Sequence, residues 1–139
     1  ATRALSKRGP DDHGSYFDNF TGLGHRRLSI LDKSLNGHQP MQTPDGRYVI
    51  SFNGEIYNYK KLRQELISKG IQFCSDTDTE VLLQLYALEG TSCLHKLNGF
   101  FAFAVYDTLD KSLFIARDRI ESNHYFTIMM KINFYFHQN

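Results

Sequence analysis

The chain has 139 residues, an apolar share of 41%, a charged share of 22% and a net charge of +1. That is room for one domain with a buried core, and it carries no compositional mark of disorder. Near-neutral charge with Lys and Arg scattered among the acids argues against a nucleic-acid partner, and no apolar run is long enough to cross a membrane bilayer.

Along the chain, a first segment that can be helical leads into the turn formers of 7–14. Residues 15–17 and 20–27 read as a hairpin about Asp18-Asn19, and 28–31 bend into a loop. The Pro and Gly content of 32–46 marks loop, closed by a turn at Pro44-Asp45-Gly46. A strand over 47–52 is expected to stop at Asn53-Gly54. Tyr59, Leu62, Leu66 and Ile67 share one stripe of a helix over 59–69, with Gly70 where a C′ glycine belongs. Residues 71–74 are expected to form a short strand. Thr77 and Glu80 have the spacing of a capping box, which starts a second helix through Val81, Leu82, Leu85 and Tyr86 to Gly90. A further helical turn is expected at 93–97. Residues 100–106 are apolar or small at every position and are expected to be covered on both faces, with 112–117 returning as their partner. Hairpin-clustered strands with helices between them indicate an α+β domain with antiparallel sheets.

Cys74 and Cys93 are too few for a disulfide framework and too far apart for a Cys-x-x-Cys pair. Both read as buried thiols in a reducing, cytoplasmic setting, and no apolar leader opens the chain. The six histidines show no metal-ligand spacing, so no metal is expected.

Chemistry is suggested at three places. The side-chain amide of Asn53 and the backbone N–H of Gly54 can both aim at one small volume, which is how an oxyanion hole is built. Asn-Gly is equally the commonest hairpin turn, although Glu55 to Tyr59 lead on into a helix. Arg27 can offer a planar fork to a carboxylate, and Asp78 can face an ammonium, so that together they suit a free amino acid. Singly, each also fits a surface ion pair or a helix cap.

Seven ordered motifs then carry a resemblance: Arg8-Gly9-Pro10-Asp11-Asp12, Gly24-His25-Arg26-Arg27-Leu28-Ser29-Ile30, Gly37-His38-Gln39-Pro40-Met41, Phe52-Asn53-Gly54-Glu55-Ile56-Tyr57-Asn58, Ser75-Asp76-Thr77-Asp78-Thr79-Glu80-Val81, Gly99-Phe100-Phe101-Ala102-Phe103-Ala104 and Ala116-Arg117-Asp118-Arg119. From Leu5 to Arg119 the chain resembles the glutaminase domain of glutamine-hydrolysing asparagine synthetases, a class II glutamine amidotransferase. The resemblance implies an N-terminal-nucleophile (Ntn) hydrolase fold, a four-layer sandwich of antiparallel sheets between helices, here without its first strand. It implies that Arg27 holds the glutamine α-carboxylate, that Glu55 and Asp78 hold the α-amino end, and that Asn53 and Gly54 form the oxyanion hole. It implies hydrolysis of glutamine to glutamate and ammonia with no cofactor in this domain. The ammonia would pass to a C-terminal synthetase domain that uses ATP and Mg²⁺.

The family nucleophile is an N-terminal cysteine, whereas this sequence opens on Ala1, and neither Cys74 nor Cys93 sits in a matching motif. The expectation is therefore a glutaminase domain over 1–119, incomplete at its N-terminus and inactive alone. A divergent, aromatic-rich tail follows over 120–139, readable as a makeshift last strand or as an altered reading frame. Another class II amidotransferase, or a non-catalytic glutamine-binding or pseudogene fragment, remains the alternative.

Overall fold

The computed structural model describes the backbone of residues 12–27, 37–118 and 126–131, and the side chains of 14–25 and 37–118. The expected hairpin is present: β1 (Asp12–Phe17) pairs antiparallel with β2 (Gly22–Arg27) about a turn whose Phe20 and Thr21 N–H groups donate to Asp18 Oδ1 at 2.7 and 2.8 Å. A separate five-stranded antiparallel sheet has the order β3-β4-β5-β6-β7. Its strands are β3 (Met41–Gln42), β4 (Tyr48–Ile56), β5 (Gly99–Asp107), β6 (Ser112–Arg117) and β7 (Phe126–Lys131). The aromatic-rich end of the chain thus contributes a strand, since β7 pairs with β6 from Ser112↔Lys131 to Arg117↔Phe126.

Two helices lie between β4 and β5 in sequence. The helix α1 (Tyr59–Ser68) ends in a Schellman arrangement: Gly70 N–H donates to Ile67 O at 2.9 Å, Ile71 N–H donates to Leu66 O at 3.1 Å, and Gly70 takes φ +88°. Leu62 and Leu66 are buried as the stripe predicts, but Ile67 is exposed. The helix α2 (Asp78–Glu89) starts at Thr77, whose hydroxyl accepts from Glu80 N–H at 3.2 Å. Residues Asp78 to Tyr86 are all buried, so this helix is enclosed rather than amphipathic. A 3₁₀ segment over Gly90–Lys96 leads into β5.

One face of the large sheet supplies the main core. Ile50, Phe52, Ile56, Phe101, Phe103, Val105, Phe114 and Ala116 pack against Leu62, Leu66 and the buried side of α2. On the opposite face, Leu23 of the hairpin meets Val49 and Tyr106 in a second, smaller cluster. The described residues therefore build three layers of the expected sandwich: helices, a five-stranded sheet and a two-stranded sheet.

Four expectations are corrected. The strand β4 does not stop at Asn53-Gly54 but continues to Ile56, because Gly54 and Glu55 stay in register with Phe101 and Phe100 of β5. No strand returns from Gly54, so the hairpin-turn reading of Asn-Gly is excluded. Residues 71–74 are not a strand, since the N–H groups of Ile71 and Cys74 are taken by Leu66 O and by the Glu80 carboxylate and are lost to any ladder. Cys74 is exposed, while Cys93 is buried as expected. Finally, β5 is covered on both faces only at its Tyr106 end, where the hairpin reaches; Ala102 is exposed and Phe100 is 50% exposed.

Candidate active site

The site forms where the end of β4 meets the start of α2. Tyr57 N–H donates to Asn98 O at 2.7 Å, while the Asn58 side chain donates to Lys96 O and accepts from Asn98 N–H at 2.8 and 3.0 Å. These bonds pin the corner that follows β4. Strand alternation sends the N–H groups of Phe52 and Ile56 to the edge away from β5. Phe52 N–H donates to Gln39 Oε1 at 2.7 Å, and Ile56 N–H donates to Asp78 Oδ2 at 3.0 Å. Gly54 lies between these two attachment points on β4.

Glycine is required at position 54 for two reasons. Its φ is +135°, a region that L side chains rarely adopt, and a Cβ there would collide with the Phe100 carbonyl oxygen and meet Phe101 Cα at 2.7 Å. The side chains of Asn53 and Glu55 are exposed beside it.

Asp78 is 5% exposed and lies in the first turn of α2, where the helix dipole favours an anion. Burial pushes its carboxyl pKa upward and the nearby Glu55 carboxylate pushes it further, with backbone N–H groups of Ile56, Thr79 and Asp78 itself pulling the other way; the net direction is up. Among the described residues, no cationic side chain pairs with Asp78. Two neighbouring carboxylates without a cation make a place where a ligand's ammonium group would be held strongly.

Of the predicted site residues, the structure brings Gly54, Glu55 and Asp78 to one corner and puts Asn53 on the adjoining strand position. The backbone of Arg27 ends β2 opposite Asp12, and its side chain lies outside the described residues. The strand that carries it is tied to β4 two residues earlier, by a contact of 3.2 Å between His25 Nδ1 and Ser51 Oγ. Neither cysteine belongs to this corner. Cys93 is enclosed in the core, and burial pushes its thiol up to about 12, which makes it a poor nucleophile. The described residues contain no group of three or more His, Cys, Asp and Glu side chains that could hold a metal ion.

Two residues at the site were missed as such. Gln39, 4% exposed, spans from β4 to α2 by also donating through Nε2 to Thr79 Oγ1 at 3.2 Å. Its signal in the sequence was a polar residue among turn formers, which does not reveal burial. Glu80 completes only half of a capping box. Instead of returning to Thr77, its carboxylate accepts from Cys74 N–H, Ser75 N–H and Ser75 Oγ at 2.8, 2.7 and 2.6 Å, and so fixes the loop that delivers Asp78.

An antiparallel sheet between a helical layer and a hairpin, with a glycine-bearing strand end beside a helix-borne carboxylate, fits the Ntn-hydrolase class of fold. The chain belongs to the glutamine amidotransferase family: the family model described as a glutamine amidotransferase domain matches residues 1–138. Asparagine synthetase [glutamine-hydrolyzing] 1 of Bacillus subtilis is 46% identical over 129 residues, covering 91% of this chain and 20% of that protein. A putative asparagine synthetase [glutamine-hydrolyzing] 2 of Methanocaldococcus jannaschii is 38% identical over 136 residues, covering 85% of this chain and 26% of that protein. Among solved structures, glutamine phosphoribosylpyrophosphate amidotransferase from B. subtilis, complexed with ADP and GMP, superposes with a TM-score of 0.58 at 25% identity, over 70% of this chain and 23% of that one. The chain therefore spans about a fifth to a quarter of the length of these relatives. It resembles the glutaminase domain of the asparagine synthetases.

Proposed function

We propose that this domain binds glutamine and serves its hydrolysis to glutamate and ammonia within a glutamine-dependent asparagine synthetase. The observation that carries this reading is the buried Asp78 carboxylate beside Glu55, which no cation among the described residues neutralises, next to the Gly54 edge of β4. In this reading the α-ammonium group sits against Asp78 and Glu55, and Arg27 takes the α-carboxylate. The side-chain carbonyl then reaches the Asn53 amide and the Gly54 N–H. When a nucleophile adds to the carbonyl carbon, the π pair moves onto the oxygen and both donors strengthen, each worth on the order of 10² to 10³ in rate; the C–N bond then breaks as the carbonyl re-forms, and the protonated amine leaves as ammonia.

The ammonia would go to a C-terminal synthetase domain, which would use ATP and Mg²⁺, while the glutaminase half needs no cofactor of its own. The identities of 38% and 46% to asparagine synthetases favour this branch over an amidotransferase acting on phosphoribosyl chemistry, matched at 25%. No helix among the described residues is long and apolar enough to cross a membrane. Titration calorimetry tests the pocket: the chain is expected to bind glutamine, and Arg27→Ala and Asp78→Ala are each expected to weaken binding at least about tenfold through loss of a charge-assisted contact. Absence of heat from the unaltered chain, or indifference to both substitutions, overturns the reading.

A further inference from the structure

We propose that Gln39 is a positioning residue for the glutamine site, setting the separation between the Gly54 N–H and the Asp78 carboxylate; this rests on the reading given under the proposed function. Backbone pairing of β4 with β3 ends at Met41↔Ile50, so the next edge donor, Phe52 N–H, has no strand to meet. Gln39 replaces the missing strand with its side chain. The Phe52 N–H requires an acceptor, which fixes the amide orientation: Oε1 faces the strand and Nε2 is left to face Thr79 Oγ1.

The consequence is a pair of stitches between one strand and one helix turn. Gln39 links Phe52 to Thr79, and Asp78 itself links to Ile56. Gly54 lies midway between the two attachment points, and the residues attached, Asp78 and Thr79, are neighbours on α2. The ladder to β5 holds one edge of this segment as far as Ile56↔Gly99, and the two stitches on the other edge set how far the paired strand stands from the helix. With both stitches in place the segment is held at two ends, and a ligand that must reach Asp78 with one group and Gly54 with another meets a fixed span.

Gln39 is itself held from below. A Cβ on Gly14 of the hairpin would collide with the Gln39 carbonyl oxygen and meet His38 Nε2 at 2.6 Å, so the hairpin backbone presses directly on this segment. Gln39 is nearly sealed from water, at 4% exposure, so a lost amide contact is not readily replaced by solvent.

The test separates positioning from mere stability by using two ligands. Glutamine spans the site, whereas norvaline offers the same α-groups on a propyl side chain that has no carbonyl for Gly54. Calorimetry on the full chain is expected to show that Gln39→Met weakens glutamine about tenfold and changes norvaline by less than about twofold. Thr79→Val, which removes only the far end of the bridge, is expected to shift the same ratio in the same direction, and Thr79→Ser to restore it. If the unaltered chain prefers glutamine and both Gln39→Met and Thr79→Val keep that preference, or weaken both ligands equally, the positioning role is overturned while glutamine binding stands. If the unaltered chain does not favour glutamine over norvaline, the glutamine reading falls and this proposal with it. Should Gln39→Met fail to fold, the Thr79 pair decides alone.

Discussion

Asp78 is an acid whose ionisation is costly in the empty site and useful in the filled one. Burial and the adjacent Glu55 raise its pKa, so the folded chain holds this proton more tightly than the unfolded chain does. The sign follows: Asp78's contribution to stability is present below its unfolded value of about 3.9 and is lost as pH rises through the higher folded value. An ammonium ligand reverses the balance, because it binds the ionised carboxylate and repels the proton. Glutamine affinity is therefore expected to rise with pH through the Asp78 titration and then level off. Asp78→Asn should bind weakly with no such rise, and calorimetry at a series of pH values starting near 4 would check it. A rise that survives in Asp78→Asn would assign the titration to another group.

At the scale of the elements, α2 shows how a short polar segment serves a helix and a site together. Thr77 caps the first turn, Glu80 gathers the N–H groups of Cys74 and Ser75, and Ser75 adds its hydroxyl to the same carboxylate. Glu80 is 6% exposed, so these donors have little access to water as an alternative. Replacing it isosterically, Glu80→Gln puts an NH₂ group where an acceptor is needed. The expected cost is about 1–3 kcal/mol, from the donors left unsatisfied. Chemical denaturation should show a lower midpoint at unchanged slope, and glutamine binding should weaken because the 74–77 loop leads directly into Asp78. An unchanged midpoint would mean that these bonds exchange freely with solvent.

The same elements show what the sequence could convey. Thr77 and Gly70 announce helix ends through local chemistry that needs no tertiary partner, and both helices begin and end within a residue or two of expectation. The motif around Asn53-Gly54 marked a candidate site in the sequence because an amide side chain and a backbone N–H without a neighbouring Cβ stand together after an apolar strand. What was not legible depended on distant partners. Continuation of β4 to Ile56 depends on Phe100 and Phe101 staying in register nearly fifty residues later. The absence of a strand at 71–74 depends on Glu80 claiming Cys74 N–H. Coverage of β5 depends on how far the hairpin extends over the sheet, a matter of tertiary packing that alternation along β5 itself cannot express.

At the scale of the whole molecule, the two sheets are joined unequally. The large sheet and the helices share one extended core, whereas the hairpin rests on a small cluster of Leu23, Val49 and Tyr106. Its other attachments include the close approach of Gly14 to the Gln39 segment, the contact between His25 and Ser51, the tilted Tyr16–Tyr106 ring pair at 6.2 Å, and Lys111, which lies 3.7 Å from Asp18 and over the Phe20 ring. Surface ion pairs of that kind contribute little, so Leu23 is the principal apolar anchor. The hairpin also carries Arg27 at its far end, which couples its docking to the carboxylate side of the proposed glutamine pocket. Leu23→Ala is expected to cost about 2–3 kcal/mol, the low end for a buried leucine because the site is at the rim of the structure. Local opening then becomes the cheaper route to exposure for β1 and β2. Amide hydrogen exchange should therefore quicken in the hairpin while β4 and β5 keep their protection, and glutamine binding should weaken in step with the hairpin amides. Uniform loss of protection across both sheets would instead mean that the layers open as one cooperative unit, and that the hairpin has no separate hold on the ligand.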